Sequence, residues 1–288
     1  MTDYIVFTDS ACDIPPATLK EWGVPSRELT FRFEDEDKEY SNLEMNEPEF
    51  YERMRNGGIA KTAAVNPDSF VSEFEKYLSE GKDILYLGFS SGLSTTFNSA
   101  RIAKQQLADK YPERKIEVVD TLAASAGFGL LLHLVLEKKK AGATLEEAAE
   151  YANEMRGKIC HWFTVDDLVY LKRGGRVSPT VAFVGNLLSI KPVLHVDNDG
   201  HLIKMSQVRG RRNAIAALAE KYTELAVDPA NSVIYISHGD CAKDAELLSN
   251  MIKEKHGAET ALTVYVGPVI GAHSGPGTLA LFFVGKER

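Results

Sequence analysis

Apolar and polar positions alternate along this chain in short β-rich runs separated by helical stretches. Tyr4, Ile5, Val6 and Phe7 form a first strand that ends in the polar Thr8-Asp9-Ser10. Pro15 opens a helix through Trp22, and Pro25 leads into an extended run over 28–33. The acidic tract Glu34-Asp35-Glu36-Asp37 reads as a solvated hairpin tip, because four adjacent carboxylates repel one another and seldom converge on one ion. A helix over 47–54 carries Pro48 in its first turn, where a missing N–H costs nothing, and Asn56-Gly57-Gly58 ends it. Thr62 then falls in a loop, and Pro67 opens a helix through Tyr77. The run 83–89 is a buried strand, followed by Ser90-Ser91-Gly92-Leu93-Ser94 and a long helix to Lys110. Another strand over 115–119 ends in Asp120-Thr121 and leads into a further helix.

This strand–loop–helix alternation predicts parallel strands with helices on both faces. Ligands in such sheets bind beyond the carboxyl ends of the strands, where 8–10, 90–96 and 120–125 form three polar loops. Thr144 and Glu147 have capping-box spacing at the start of a helix over 144–158. From 159 onward the pattern changes. Runs over 159–164, 191–196, 203–208, 233–237, 262–266 and 279–284 read as strands. The turn Asp197-Asn198-Asp199-Gly200 joins two of them as a hairpin, so this part has antiparallel pairing, with helices over 212–226 and 242–256 covering one face. The expected fold is therefore two-lobed α/β. A parallel-sheet lobe occupies 1–158, a mixed α/β lobe occupies 159–288, and a ligand site lies in the cleft between them.

Composition narrows the function. The chain has 288 residues, 44% of them hydrophobic, enough for a sizeable core in each lobe. Its formal charge of −8 repels duplex DNA, so nucleic acid is not an expected partner. The most apolar helical stretch, 128–136, contains His133 and runs into three lysines, too short and too polar to span a bilayer. The protein is expected not to span a membrane, with only transient contact at a membrane surface left open. The amino-terminal residues carry no secretory-signal pattern. Cys12, Cys160 and Cys241 are odd in number and widely spaced, which suits a reducing compartment and gives no metal knuckle. The cytoplasm is the expected location.

Three segments could carry chemistry. Ser90-Ser91-Gly92-Leu93-Ser94-Thr95-Thr96 lies between a strand and a helix, where hydroxyls and free helix N–H groups suit an anion; ordinary capping by Ser91 or Ser94 is the alternative. Gly271-Ala272-His273-Ser274-Gly275-Pro276-Gly277-Thr278 is a glycine-dense loop with one histidine, or simply a tight turn. Leu171-Lys172-Arg173-Gly174-Gly175-Arg176 gathers three cations beside glycines and would suit a phosphate, as would Arg209-Gly210-Arg211-Arg212; both could equally be solvated basic turns. Gly127-Phe128-Gly129 lacks the third glycine of a dinucleotide fingerprint, and no phosphate loop for ATP occurs. Ser94, His273 and Asp9 could be imagined as a hydrolase triad, but no nucleophile elbow is present. His238-Gly239-Asp240-Cys241 contains metal-ligand types at the spacing of a turn.

Taken in order, these segments resemble the DegV family, whose characterised members include the fatty-acid-binding subunits of bacterial fatty acid kinase. The resemblance runs through Thr8-Asp9-Ser10, Lys61-Thr62-Ala63-Ala64, Ser91-Gly92-Leu93-Ser94-Thr95-Thr96, Asp120-Thr121, Tyr170-Leu171-Lys172-Arg173-Gly174-Gly175-Arg176, and Gly267-Pro268 leading to His273-Ser274-Gly275-Pro276-Gly277. It implies that Thr62 and Ser94 hydrogen-bond a long-chain fatty acid carboxylate (palmitate, stearate or oleate are examples), with His273 nearby and Thr95 and Ser274 in the same binding set. It also implies that the acyl chain enters a closed apolar tunnel, shaped by side chains such as Phe31, Phe163, Phe183, Leu187 and Phe282. The carboxylate would be held by hydroxyls and helix N–H groups without a buried cation. A separate kinase subunit would then phosphorylate it, with Arg173, Arg176 or Arg209 meeting phosphate or partner. No metal, cofactor or ATP site of its own is expected, so the chain reads as a binding subunit rather than an enzyme. Where the family more commonly has Thr-Ser-x-Pro, this chain has Thr62-Ala63-Ala64-Val65-Asn66-Pro67, losing a helper hydroxyl. Two rival readings are a serine esterase or acyltransferase using Ser94, and a lipid-sensing regulator.

Overall fold

The apolar run at 83–89 becomes the interior of a four-stranded sheet because both of its faces are covered by helices. In the computed structural model, which describes residues 4–177 and 189–288, the strand order is Ser26–Arg27, Tyr4–Asp9, Asp83–Gly88, Ile116–Asp120, and all neighbours are parallel. Pro67–Ser79 and Thr96–Ala108 pack together on this sheet, with Ser125–Lys140 and Leu145–Met155 as a second pair. Leu145–Met155 opens with the full capping box between Thr144 and Glu147. The expected extended run over 28–33 shortens at its start, and the residues just before it form a separate short strand. Ser26–Arg27 joins the parallel sheet, while Thr30–Phe33 pairs antiparallel with Tyr40–Ser41 and with Ala60–Ala63 in a small third sheet. The acidic hairpin tip is tethered from below, as Arg53 pairs with Asp35 at 2.6 Å and with Glu36 at 2.7 Å.

The second half builds a mixed six-stranded sheet in the order Leu202–Arg209, Ile190–Val196, Ile159–Thr164, Leu279–Val284, Ile234–His238, Thr260–Tyr265. Only the last pair is parallel. Arg211–Leu225 and Ala242–His256 cover one face, as their spacing predicts. The opposite face is closed by the helix Ser125–Lys140, which packs against the strands Ile159–Thr164, Ile234–His238 and Leu279–Val284. One apolar cluster accordingly runs from Phe7 and Leu85 through Phe128 and Leu131 to Phe163 and Phe282. Among the described residues, no helix is long and apolar enough to cross a membrane.

Ser125–Lys140 can lie between the two sheets because of Gly127 and Gly129. Two residues apart on a helix, they face nearly opposite directions. A Cβ at Gly127 would come within 2.4 Å of His161 Nε2 and 2.5 Å of Phe282; one at Gly129 would come within 2.5 Å of Ile14 and 3.0 Å of the Cys12 carbonyl oxygen. Close approach on both sides is the role of this Gly-Phe-Gly segment. Asp9 fixes the parallel sheet at its carboxyl end. Its buried carboxylate accepts from Tyr86 OH at 2.6 Å and from the amides of Phe89 at 2.9 Å and Ala11 at 3.1 Å. Burial raises its carboxyl to about 6 despite these donors.

Alanine at Gly127 or Gly129 should destabilise the protein by about 1–3 kcal/mol through overpacking, although alanine is the better helix former by roughly 1 kcal/mol. Urea unfolding of the two variants measures this. A neutral or stabilising result at both positions would show that the helix can move away from its neighbours.

Candidate functional site

Three of the polar residues picked out in the sequence converge because of helices and strands that the sequence pattern did not reveal. Thr62 lies on the strand Ala60–Ala63, opposite Phe31, and not in a loop; Phe31, Phe33 and Phe50 form the apolar floor beneath that strand. His273 lies in the last turn of a short helix, Pro268–Ser274, inside what reads in sequence as a glycine-dense loop. That helix is positioned from the first half of the chain. Asn42 Oδ1 accepts from the Val269 amide at 2.9 Å, and Tyr51 OH donates to the Val266 carbonyl at 2.7 Å. Leu171 to Gly174 likewise belong to a helix, Val169–Gly174, capped by Gly175 in the left-handed conformation at φ 66°. Gly174 abuts His273 so closely that a Cβ there would fall 2.1 Å from Nδ1. Ser94 sits just before Thr96–Ala108, where its Oγ accepts from the Thr96 amide at 3.2 Å and pairs with Thr96 Oγ1 at 3.0 Å. Ser91 does not cap that helix; its amide donates to Asp120 at 3.2 Å.

These elements enclose a cavity of about 480 Å³ between the carboxyl ends of the parallel strands and the inner face of the six-stranded sheet. Its mouth carries Thr62, Ser94, Thr95, Arg176 and His273, all half-buried except the exposed Thr95. Its interior is largely apolar, with Leu29, Phe89, Phe163, Val269, Ala280 and Phe282 among the walls. Ser274 also lines it, with its Oγ buried and unpartnered. Phe163 and Phe282 are thus cavity residues. Phe31 is not among the lining residues, and Phe183 and Leu187 lie outside the described residues.

The mouth is polar but nearly uncharged apart from one cation. His273 Nε2 and Thr62 Oγ1 lie 2.8 Å apart, and Nδ1 is buried without a partner. Burial, with the nearby Arg176 charge acting in the same direction, lowers the His273 imidazole to about 4, so it is neutral at physiological pH. Arg176 is half-buried, donating through Nε to the Leu93 carbonyl at 3.2 Å and through Nη1 to the Gly174 carbonyl at 2.5 Å. Burial lowers its guanidinium, and no carboxylate among the described residues pairs with it. Two backbone carbonyls hold this half-buried, otherwise uncompensated guanidinium at the mouth beside the hydroxyls, which favours an anion there. Arg173 and Arg209 are exposed and do not line the cavity. The imagined hydrolase triad does not assemble. The Asp9 carboxylate is taken by Tyr86 and two amides, and His273 faces Thr62 rather than an acid.

The cavity also contains Ser125, from the polar loop expected over 120–125, and two polar residues that sequence reasoning missed, Ser237 and His161. A signal for both existed. Alternation along Ile159–Thr164 places His161 on the same face as Phe163, and along Ile234–His238 it places Ser237 beside Tyr235. What the pattern lacked was the knowledge that this face looks into a cavity.

The fold and site together define an α/β protein with an apolar chamber and an anion-attracting, hydroxyl-lined mouth. The chain belongs to the DegV family: residues 4–286 match the family described as "Uncharacterised protein, DegV family". It is 41% identical to a DegV domain-containing protein of Clostridium perfringens over all of this chain and 99% of that one. It is 34% identical to a protein of Thermotoga maritima named fatty acid-binding protein, over 98% of each. Among solved structures, a DegV lipid binding protein of Thermotoga maritima superposes with a TM-score of 0.85 at 32% identity, covering 99% of each chain. A DegV family protein of Thermus thermophilus, described for its fatty acid binding, superposes with a TM-score of 0.88 at 28% identity, covering 99% of this chain and 100% of that one.

The lowered His273 pKa sets a sign for stability. Between about 6.5 and about 4, the unfolded chain takes up a proton at this position and the folded chain does not, so this histidine reduces stability as pH falls through that window. His273→Gln, which keeps a hydrogen-bonding partner for Thr62, should lose less stability than the parent between pH 7 and 4, by up to about 3 kcal/mol. Parallel urea titrations across that range measure the difference, and identical slopes would mean that His273 titrates normally.

Proposed function

We propose that this protein binds a long-chain fatty acid, with the carboxylate at the mouth and the acyl chain in the cavity. The observation that carries this reading is the division of one cavity into two ends. Thr62, Ser94 and an unpaired Arg176 stand at the mouth, and apolar walls lie behind them. If Nε2–H of His273 donates to Thr62 Oγ1, the Thr62 hydroxyl hydrogen is free for a carboxylate oxygen. Each methylene removed from water contributes roughly 0.8 kcal/mol, so about 14 of them give on the order of 11 kcal/mol before ordering costs. That suffices for an affinity in the micromolar to nanomolar range. The lipid-binding descriptions of the Thermotoga and Thermus relatives support the same ligand class.

The role we assign is that of a non-catalytic substrate-presenting subunit. A carboxylate held at a mouth, rather than at the bottom of the cavity, keeps one oxygen accessible. That oxygen can attack the γ-phosphorus of ATP bound to a separate kinase subunit, releasing ADP and forming an acyl phosphate. Arg173 and Arg209, exposed and outside the cavity, are placed in this scheme as contacts to that subunit or its phosphates.

Mass spectrometry of the purified protein, first native and then after denaturation and solvent extraction, should find one fatty acid per chain. Thr62→Ala and Ser94→Ala should each weaken binding by about 1–3 kcal/mol through a lost hydrogen bond to a charged group. A protein that is empty and takes up no added fatty acid, or unchanged affinity in both variants, would defeat the assignment.

A further inference from the structure

The two hydroxyls at the mouth are not free to point either way. A hydroxyl carries one hydrogen and two lone pairs, so its neighbours decide what it offers a ligand. Thr96, the first residue of the helix Thr96–Ala108, is fully buried and stands behind Ser94 rather than in the cavity wall. Its Oγ1 accepts from the Val65 amide at 3.3 Å and lies 3.0 Å from Ser94 Oγ. Ser94 Oγ is the one acceptor within reach of the Thr96 hydroxyl hydrogen among the described residues. Leaving that buried hydrogen unpaired would be costly, so Thr96 donates to Ser94. Ser94 Oγ also accepts from the Thr96 amide at 3.2 Å, which occupies its second lone pair. What Ser94, half-buried at the mouth, has left to present is its hydrogen.

The other arm has the same direction. His273 Nδ1 faces Gly174 and has no polar partner. A buried N–H is rarely left orphaned, so the proton sits on Nε2, which donates to Thr62 Oγ1 across the 2.8 Å contact. The Thr62 hydroxyl hydrogen is then left for the mouth as well. Thr96 reaches this arm too, because Val65, whose amide it accepts, lies just past the end of the strand Ala60–Ala63 that carries Thr62. One buried hydroxyl thus ties that strand to the start of the helix beside Ser94. It fixes both the spacing between the two donors and the direction of one of them.

We infer that Thr96 is the positioning residue of the carboxylate site: it makes Ser94 a donor only, so that Ser94 and Thr62 together select a head group offering two acceptor oxygens and no hydrogen. This deepens the fatty-acid reading above and rests on it. A carboxylate fits the pattern. A primary amide of the same chain length has nearly the same shape but brings an N–H to a hydroxyl that has no lone pair left. Without the Thr96 hydroxyl, Ser94 regains a lone pair and can turn to accept that N–H, so the choice between acid and amide is relaxed at this arm.

The test is calorimetric titration of the delipidated protein with palmitate and with palmitamide at about pH 8, where the acid is ionised. Thr96→Val keeps the side-chain shape and removes the hydroxyl. It should bind palmitate about three- to tenfold more weakly than the parent and narrow the acid-over-amide ratio by a similar factor. Thr96→Ser, which keeps the hydroxyl, should retain both the affinity and the ratio. In a Ser94→Ala background, Thr96→Val should change palmitate affinity by less than about twofold, because the lost interaction runs through Ser94. Circular dichroism checks that each variant folds. Ser94→Ala alone carries the test should Thr96→Val not fold: it removes the outward hydrogen without disturbing Val65, so the acid should lose more affinity than the amide. Full affinity and an unchanged ratio in Thr96→Val would overturn the inference. So would an equal loss in Thr96→Ser, an equal loss in the Ser94→Ala background, or an amide that loses as much as the acid in Ser94→Ala. Each of these outcomes leaves the fatty-acid site standing. Palmitate that does not bind the parent protein would overturn the fatty-acid reading itself, and this inference with it.

Discussion

Everything in this molecule is arranged around one helix that is buried on nearly all sides. Ser125–Lys140 presents Ala126, Phe128, Leu130, Leu131, Leu132 and Val135 to apolar surroundings, and it has no stripe to leave in water until its lysine-rich end. A helix apolar all round must be covered all round. Here the cover comes from a parallel sheet and its helices on one side and from a mixed sheet on the other. Gly127 and Gly129 let both approach to contact distance. The two halves of the chain therefore share a core, and the cavity forms where that shared packing opens at the amino-terminal end of the helix.

The same geometry explains why the mouth is assembled from distant parts of the chain. His273 is placed by Asn42 and Tyr51, and its ring rests against Gly174. Arg176, two residues on, is held by the Leu93 and Gly174 carbonyls. Low polarity around this cluster keeps the imidazole neutral and leaves the guanidinium as the dominant charge. A mouth of this kind attracts an anion electrostatically and fixes it by hydroxyls, without using the histidine as a second cation.

Elements that depend on local chemistry were readable without the structure. The buried strand at 83–89, the capping box at Thr144 and Glu147, and the hairpin turn at 197–200 are set by neighbours within a few residues, and the structure has all three. Short helices were not readable. Val169–Gly174 and Pro268–Ser274 contain or adjoin glycines whose composition argues for a turn, and they form because tertiary contacts hold them. Thr62 reads as a loop residue for a related reason: Ala60–Ala63 is a four-residue strand with little apolar alternation, and it exists through its pairing with Thr30–Phe33.

By itself the sequence determined the α/β class, the change from parallel to antiparallel pairing near residue 159, and the hydroxyl, imidazole and guanidinium groups from which a site could be made. Only the tertiary structure decided which of these groups meet. It brought Arg176 to the cavity while leaving Arg173 and Arg209 at the surface, turned Asp9 inward to Tyr86, and placed Ser125, Ser237 and His161 on the chamber wall. The physical reason is range. Capping, turn chemistry and alternation act over a few residues, whereas a cavity is defined by the directions in which side chains more than a hundred residues apart point, as the 112-residue separation of the Ser125–Ser237 contact illustrates.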